Sequence, residues 1–457
     1  MEYSDFLAAK RMTVKPSGFD VPLDRFNPKL FEWQRLLVRW ALKKGKAAFF
    51  EDCGLGKTPQ QLEWGNQVHQ HTDGDVLILT PLCVAPQTLR EGIKFGIPAT
   101  VCREPEDIRP GINIANYERL EKFARHQWAG VVLDESSILK SYTSATRNQI
   151  IETFEHTPYK LACTATPAPN DYMELGNHAE FLGAMKRTEM LASFFIHDGG
   201  DTNKWRLKGH AQDDFWAWIA SWAVVLGNPA DLGFPQDGYN LPPLNIVEHI
   251  VGDPDAPLAK TLAERREARK ASIAARVERC AQIAAFSPGS VLCWCDYNEE
   301  SRQLATAIPG AVEVTGSDTD KRKALSFESF SLGLSRVLVS KPKIAGWGLN
   351  WQHCNTMIFC GLSDSFEAYY QAVRRCWRFG QTRPVTVHIV TSAAEGAVKA
   401  NIERKQEDAR RMMQEMEQYT REIVRENVTS TRRVDDTYKP DTTMRLPGWL
   451  RTESEVA

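Results

Sequence analysis

Short apolar runs alternate with longer amphipathic segments along this chain, and they form two separate series. The first series contains runs at 47–50, 76–80, 112–114, 131–133 and 160–163. The second series contains runs at 291–294, 312–314, 337–339, 356–359 and 385–390. Alternation of short strands with helical segments is typical of βαβ units. The pattern therefore predicts two α/β lobes, each built on a parallel sheet flanked by helices.

The section between the two series, 183–240, is rich in tryptophan and has a helical pattern. Leu241-Pro242-Pro243 follows it, and its prolines prevent a helix from continuing, so this tripeptide is the predicted linker. The tryptophan side chains of this section could either stack on bases or pack in a core. They belong to Trp205, Trp216, Trp218 and Trp222. The four-residue spacing of the last two favours a packed helix.

Two charged segments in the second half of the chain carry helical stripes. The segment 258–284 places its apolar residues on one face, and 402–424 does the same with charged pairs four residues apart. The predicted organisation is an N-terminal extension (1–27), a first lobe (28–182), a helical insertion with the linker (183–243), a second lobe (244–400), and a C-terminal helix and tail (401–457).

Composition excludes several classes of protein. The 457 residues include 56 Lys plus Arg and 58 Asp plus Glu, a formal charge of −2, so any binding of nucleic acid must use a local groove. The ten cysteines form no C-x-x-C pair, which argues against a zinc ribbon and a disulfide framework. No apolar run reaches membrane-spanning length. We expect a cytoplasmic protein without a membrane partner.

A phosphate-binding loop is predicted at residues 51–58, directly after the first apolar strand. Gly54 and Gly56 allow the backbone around Leu55 to form a concave row of N–H donors. Lys57 supplies a positive charge for the β- and γ-phosphates, and the Thr58 hydroxyl suits Mg²⁺. The alternative is an ordinary glycine turn before Lys-Thr.

A second nucleotide signature is the carboxylate pair Asp134-Glu135, which ends the strand 131–133. At the carboxyl end of a strand both side chains can face one crevice. Asp134 is the candidate Mg²⁺ ligand, acting through water, and Glu135 is the candidate base for the attacking water. An acidic strand-to-loop cap is the alternative, and the upstream phosphate loop favours the catalytic interpretation.

The second lobe carries an arginine-rich segment at 371–381 instead of a phosphate loop. Arg375 and Arg378 are three residues apart, so on a helix both would project from one face. Guanidinium groups delivered across a cleft stabilise charge on a transferring phosphoryl group. A solvated helix face is the alternative, and Gln371, Gly380 and Gln381 at fixed offsets argue against it.

With these motifs in this order, residues from about 31 to 391 resemble the Swi/Snf-like group of superfamily 2 helicases and translocases. The resemblance implies that Gln34 recognises the adenine base and that Gln371, like the phosphate loop, binds ATP. It also implies that Thr58 and Asp134 hold Mg²⁺. The resemblance further assigns nucleic-acid contact or coupling to Thr80, Pro81, Asn116, Thr164, Thr166, Gly316, Gly346, Gly348 and Asn350.

The chain departs from the family at its carboxylate box. Where the family has Asp-Glu-Ala-His, this chain has Asp134-Glu135-Ser136-Ser137. The missing histidine bears on how hydrolysis is coupled to motion, and not on whether ATP is bound. The span from 243 to 291 is short for the family, so the chain is similar to the compact versions carried by bacteriophages and prophages.

The resemblance implies two tandem RecA-like lobes with a helical insertion and a C-terminal helix. It implies an ATP- and Mg²⁺-dependent enzyme that moves along DNA, with duplex favoured over RNA. An RNA helicase and a non-hydrolysing scaffold or loader are the alternatives. We expect a monomer in the cytoplasm of a bacterial host, acting beside phage replication or recombination proteins.

Overall fold

The computed structural model describes residues 13–81, 84–169, 171–198, 201–235, 239–253, 257–259, 261–345, 349–363 and 365–429. They form two parallel sheets flanked by helices, a two-stranded antiparallel hairpin and a long C-terminal helix. The predicted fold class of two tandem RecA-like lobes is confirmed. No helix in the described part of the chain is both long and apolar enough to span a membrane.

The first sheet contains seven strands and belongs to lobe one. They are β1 (Lys46–Glu51), β2 (Val76–Thr80), β3 (Ala99–Val101), β4 (Ile112–Asn116), β5 (Gly130–Asp134), β6 (Tyr159–Thr164) and β9 (Ala223–Leu226). Their order across the sheet is β3-β4-β2-β5-β6-β1-β9, and all neighbours are parallel. The hairpin between them consists of β7 (Phe195–Asp198) and β8 (Asp201–Leu207).

The second sheet contains six strands and belongs to lobe two. They are β10 (Leu244–Val251), β11 (Val291–Cys295), β12 (Ala311–Val314), β13 (Val337–Ser340), β14 (Thr356–Cys360) and β15 (Val385–Ser392). Their order is β10-β15-β14-β11-β13-β12, again parallel throughout.

The α-helices cover both sheets and one of them joins the two lobes. They are α1 (Glu32–Lys44), α2 (Lys57–Thr72), α3 (Ala85–Phe95), α4 (Leu120–Phe123), α5 (Ala145–Thr153), α6 (Leu175–Leu182), α7 (Arg187–Phe194), α8 (Gln212–Ala220), α9 (Leu262–Ala271), α10 (Ile273–Phe286), α11 (Asn298–Ala307), α12 (Asp320–Ser331), α13 (Pro342–Ala345), α14 (Phe366–Val373) and α15 (Gly396–Thr429).

The apolar runs form parallel strands because both faces of each sheet are covered. Phe49 and Phe50 are neighbours on β1, so their side chains point to opposite faces, yet both are fully buried. Phe49 lies in the core on one side of the sheet and Phe50 in the core on the other. A strand with two buried faces needs a continuous apolar run, which is the pattern seen in the sequence.

The section 183–243 differs from the predicted helical insertion. It contains α7 and α8, but it also contains the hairpin, and its strand β9 pairs with β1 inside the first sheet. Trp216, Trp218 and Trp222 are buried in the core of lobe one, which confirms the core interpretation, and Trp205 packs against that core while partly exposed. The section is therefore part of lobe one.

The two predicted helices also differ in extent from the expectation. The segment 258–284 contains α9 and α10, which are separated at Ser272, and the C-terminal helix α15 runs from Gly396 to Thr429. Of the expected N-terminal extension 1–27, residues 1–12 lie outside the described residues, and so does the expected tail beyond residue 429.

Helix α15 starts on lobe two and crosses to lobe one. Met416, Val424 and Val428 are buried in the two cores of lobe one. Tyr419 stacks on Trp216 with ring centroids 5.7 Å apart. The chain thus connects the lobes twice, once through the linker 241–243 and once through α15.

The lobe-two end of α15 is held by a buried network of charges. Arg276 donates to Glu300 Oε1 at 2.7 Å and to the Cys360 carbonyl at 2.9 Å, and both charged side chains are fully buried. Arg269 donates to Glu395 at 3.2 Å, directly before α15 begins. Buried charges are tolerated only when they are paired and hydrogen-bonded, as they are here.

We expect Arg276→Met to lower the free energy of unfolding of lobe two by about 3–5 kcal/mol, because it leaves Glu300 as a buried charge without its arginine and leaves Glu395 with Arg269 as its remaining arginine partner. Urea unfolding of the full chain measures the effect. Arg302 pairs with Glu299 on the surface of the same lobe, so Arg302→Met is the matched control and should cost at most about 1 kcal/mol. Equal losses for both variants would contradict a stabilising role of the buried network.

Candidate nucleotide-binding site

A cavity of about 250 Å³ lies between the lobes, beside the carboxyl ends of β1 and β5. Lobe one lines it with Gln34, the loop residues 53–59 and the carboxylates Asp134 and Glu135. Lobe two lines it with Asn350, Gln352, Arg374, Arg375, Arg378 and Phe379. The predicted phosphate loop, carboxylate pair and arginine segment are therefore brought to one place.

The loop 53–56 has a shape that only glycine permits at two positions. Gly54 and Gly56 have φ angles of +93° and +80°, in the left-handed region. A Cβ on Gly56 would lie 2.5 Å from Gln34 Nε2, and one on Gly54 would lie 3.0 Å from the Phe379 nitrogen of lobe two. Helix α2 begins at Lys57, so its N-terminal N–H groups and its dipole face the cavity.

Two polar side chains hold the loop in place. The Lys57 ammonium donates to the carbonyls of Glu51 at 2.8 Å and Asp52 at 3.1 Å. Gln34 donates to the Leu55 carbonyl at 2.9 Å and accepts from the Phe31 N–H at 3.0 Å. The amide of Gln34 thus supports the loop, and its recognition of adenine stays a prediction.

The carboxylate pair is held by two neighbouring side chains, and the pKa values of both carboxyl groups are raised. Asp134 accepts from Gln61 Nε2 at 2.8 Å, and its carbonyl accepts from the Tyr117 hydroxyl at 2.8 Å. Burial raises the pKa of Asp134 above its usual range. Burial, followed by the charge of Asp134, raises the pKa of Glu135 to about 7, while Lys57 opposes the shift.

Glu135 is also unusual in its backbone. Its φ is +56°, and Asp73 is the other non-glycine residue with positive φ in the described part of the chain. Glu135 Oε2 is buried and has no hydrogen-bond partner among the described residues. Strain of this kind persists where the surrounding structure enforces it, and it is frequent at functional sites.

The arginine segment departs from the predicted helix. Helix α14 ends at Val373, so Arg375 and Arg378 lie in the turn that follows it. Arg375 donates to the Gln371 carbonyl, to the Gln371 side chain and to the Leu349 carbonyl, at 3.0, 3.1 and 3.1 Å. Burial, followed by the charge of Arg375, lowers the pKa of Arg378 to about 10. Gln371 thus positions an arginine.

Direct ties between the lobes were missed by sequence reasoning. Arg374 donates to Asp52 Oδ2 and to the Cys53 carbonyl, both at 2.6 Å, and the Tyr370 hydroxyl donates to Asp52 Oδ1 at 2.5 Å. Asp52 belongs to the phosphate loop of lobe one. The sequence signals this contact only through Arg374, which precedes the two predicted catalytic arginines. Its partner depends on how the lobes meet.

Three of the predicted nucleic-acid residues line two further cavities between the lobes. One cavity, of about 570 Å³, is lined by Pro81 and Gly316 and by equal numbers of lysines and glutamates: Lys140, Lys323, Lys343, Glu118, Glu135 and Glu367. The other, of about 590 Å³, is lined by Asn116 and by the basic residues Arg90, Arg103, Arg119, Lys321 and Lys323. Both lobes therefore contribute positive charge to this side of the molecule.

The remaining predicted contacts have mixed positions. Asn116 donates to the Pro81 carbonyl at 3.2 Å and to Thr80 Oγ1 at 3.5 Å, and Thr166 N–H donates to Thr164 Oγ1 at 3.1 Å. Asn350 lines the nucleotide cavity and neither of the two further cavities, which differs from its predicted role. Gly346 and Gly348 lie outside the described residues.

The residues present fit a magnesium ion. Thr58 and Asp134 both line the cavity beside the loop, and the described residues contain no cluster of three or more His, Cys, Asp or Glu side chains able to hold a metal. Mg²⁺ keeps several waters and needs one or two protein oxygens plus phosphates, so a hydroxyl and one carboxylate suffice.

Comparison with protein families matches residues 29–195 to the SNF2-related domain and residues 275–380 to the helicase conserved C-terminal domain. Among solved structures, the chain is similar to the Sulfolobus solfataricus SWI2/SNF2 ATPase core in complex with dsDNA. The identity is 16%, the match covers 80% of this chain and 88% of that chain, and the TM-score is 0.42. Comparison with curated proteins found no match.

The buried carboxyl group of Glu51, at the start of the phosphate loop, makes the stability of the protein depend on pH. Burial raises its pKa from 4.5 to about 7, so its charge destabilises the fold increasingly between pH 4.5 and 7 and fully above that range. Glu51→Gln removes the charge, and its amide oxygen can still accept from Gln60. We expect a gain of up to about 3 kcal/mol in urea unfolding at pH 8 and little gain at pH 5.

Glu106 is exposed, so Glu106→Gln is the control and should change stability little at either pH. A gain for Glu51→Gln that is equal at pH 5 and pH 8 would mean that ionisation of Glu51 is not the cause.

Proposed function

We propose that this chain, which matches the SNF2-related domain followed by the helicase conserved C-terminal domain, is a Swi/Snf-like superfamily 2 enzyme that hydrolyses ATP to move along duplex DNA. The observation that carries the proposal is the single cavity into which lobe one delivers Lys57 and Glu135 and lobe two delivers Arg375 and Arg378. Each lobe alone has half of a phosphoryl-transfer site.

Each group in the cavity has a role that its position supports. The loop N–H groups and Lys57 bind the phosphates, and Thr58 with Asp134 would hold Mg²⁺, which neutralises phosphate charge when bound. Glu135 orients the water and takes its proton, because its carboxyl group lines the cavity and its buried Oε2 has no hydrogen-bond partner among the described residues. Arg375 and Arg378 stabilise negative charge that develops on the transferred group.

The cavity of about 590 Å³, in which basic side chains outnumber acidic ones, is the proposed DNA path. Lobe one contributes Arg90, Arg103 and Arg119, and lobe two contributes Lys321 and Lys323. A chain with a net charge of −2 has no overall positive field, so phosphate binding requires such a local concentration of charge. Because both lobes touch this path, ATP-driven closing and opening would move one contact set relative to the other.

We propose translocation on duplex DNA with little strand separation. Following phosphates requires no base-pair opening, whereas opening costs about 1.4 kcal/mol of stacking per step. Trp216, Trp218 and Trp222 are buried, which removes them as candidates for a wedge between strands. The output would be displacement of a bound protein or of a third strand.

The setting of this activity is also part of the proposal. The segment between the linker and β11 holds α9, α10 and β10 and has no room for a large insertion, which favours the compact phage type. We propose a monomer that works in the bacterial host cytoplasm on phage DNA during replication, recombination or repair.

We expect duplex DNA to stimulate the ATPase in a length- and salt-dependent manner, and matched RNA to stimulate it less, because the affinity comes from phosphate contacts that release counterions. A titration of steady-state ATPase rate against duplex DNA, single-stranded DNA and RNA measures this. Equal or stronger stimulation by RNA would favour an RNA helicase.

The same assay has a catalytic control. Glu135→Gln should retain ATP binding and lose turnover by about 10²–10⁴-fold, the range for a general base. The exposed carboxylate variant Glu121→Gln should match the parent. Absence of ATPase activity in the parent chain would contradict the proposed function and favour the alternative of a non-hydrolysing scaffold or loader.

We further expect ATP-dependent displacement of a third strand from a triplex with little unwinding of a forked duplex, because tracking phosphates requires no base-pair opening. The two assays are run in parallel on labelled substrates, with Lys57→Ala as the inactive control. Efficient fork unwinding without triplex displacement would identify a strand-separating helicase instead.

A further inference from the structure

A buried histidine contacts the carboxylate box from a neighbouring helix. His178 lies on α6, and its Nε2 is 3.1 Å from the Ser136 hydroxyl oxygen. Ser136 directly follows Glu135, and both Ser136 and His178 are fully buried. The chain lacks a histidine within the box itself, at Ser137.

A histidine on a buried helix face is often only a satisfied core residue, so its surroundings matter. Burial lowers the pKa of His178 to about 4, and the ring is therefore neutral at physiological pH. Its ring lies edge-on to Phe50, 5.1 Å between centroids, one residue before the phosphate loop begins. His178 thus contacts both segments that carry catalytic groups in lobe one.

The residue next to His178 holds the other end of the same segment. The 3-10 helix Ser136–Lys140 follows Glu135, and Asn177 Nδ2 donates to the Lys140 carbonyl at 3.1 Å. The Lys140 ammonium pairs with Glu367 of lobe two, at the start of α14. Helix α6 therefore fixes both ends of a segment that runs from the catalytic carboxylate to the opposite lobe.

We propose that His178 is a positioning residue for ATP hydrolysis, supplied from α6, which through Ser136 holds the strained backbone of Glu135 and links it to closure of the lobes. The inference rests on the proposed ATPase function. The Ser136–His178 hydrogen bond fixes the residue after the left-handed turn, so the Glu135 carboxylate stays directed at the cavity. Movement of Glu367 is passed to the same segment through Lys140.

The test is the DNA-stimulated ATPase of the full chain with His178→Ala, Ser136→Ala, the double variant and His178→Gln. We expect each alanine variant to lower kcat about tenfold with KM for ATP changed by less than about twofold. The double variant should fall no further than either single variant, because one hydrogen bond is lost in each. His178→Gln keeps a donor and an acceptor and should recover most of kcat.

A matched control separates positioning from loss of packing. Leu175 is fully buried on α6 and has no bond to the box, so Leu175→Ala should lower the unfolding temperature while kcat stays near the parent value. Assays are run below the unfolding temperature of every variant. Should His178→Ala fail to fold, Ser136→Ala decides the question because it removes only a hydroxyl.

The outcomes distinguish this inference from the function on which it rests. A parent chain without ATPase activity contradicts the proposed function. An active parent with unchanged kcat in both alanine variants overturns the role of His178 alone. Equal kcat losses in Leu175→Ala and His178→Ala, or no recovery in His178→Gln, would reduce His178 to a packing residue and also overturn the proposal.

Discussion

The rest of the structure depends on one constraint: two adjacent carboxylates are buried between the lobes and need positive charge from both lobes. Asp134 and Glu135 adjoin each other at the end of one strand, and burial raises the pKa of both. Their ionised forms are stabilised by Lys57 from the same lobe and by Arg375 from the other. Neither lobe alone supplies all the positive charge that stabilises the two carboxylates, and buried charges need partners. The strands, the glycine loop and the arginine turn bring these groups together.

Several connections keep the two halves close enough for this pairing. The phosphate loop itself is tied to lobe two through Asp52, which accepts from Tyr370 and Arg374. The ends of α15 are anchored in different ways, by buried ion pairs in lobe two and by apolar packing in lobe one. A change in the nucleotide site therefore acts on a contact that belongs to both lobes. Such a shared contact is a physical route by which binding can alter their relative positions.

Most of the sheets and the lobe-one half of the site follow from local patterns in the sequence. Central parallel strands appear as apolar runs because both faces are buried, whereas the edge strand Leu244–Val251 mixes exposed and half-buried residues and was missed. The phosphate loop and Asp134-Glu135 depend on neighbouring residues and could be read directly. Contacts such as Arg374 with Asp52 join residues far apart in the chain. They depend on how whole lobes meet, which no local pattern contains.

The packing of α15 on lobe one has a consequence for the nascent chain during translation. Domains form from the N-terminus as synthesis proceeds, so lobe one emerges from the ribosome long before the helix that covers Trp216. Roughly two hundred residues separate that tryptophan from Tyr419, which corresponds to about 10–40 s of translation. For that interval an apolar patch of lobe one stays uncovered, and chaperones have a defined window in which to protect it. A ribosome that stalls within this window releases a polypeptide with a permanently unfinished surface.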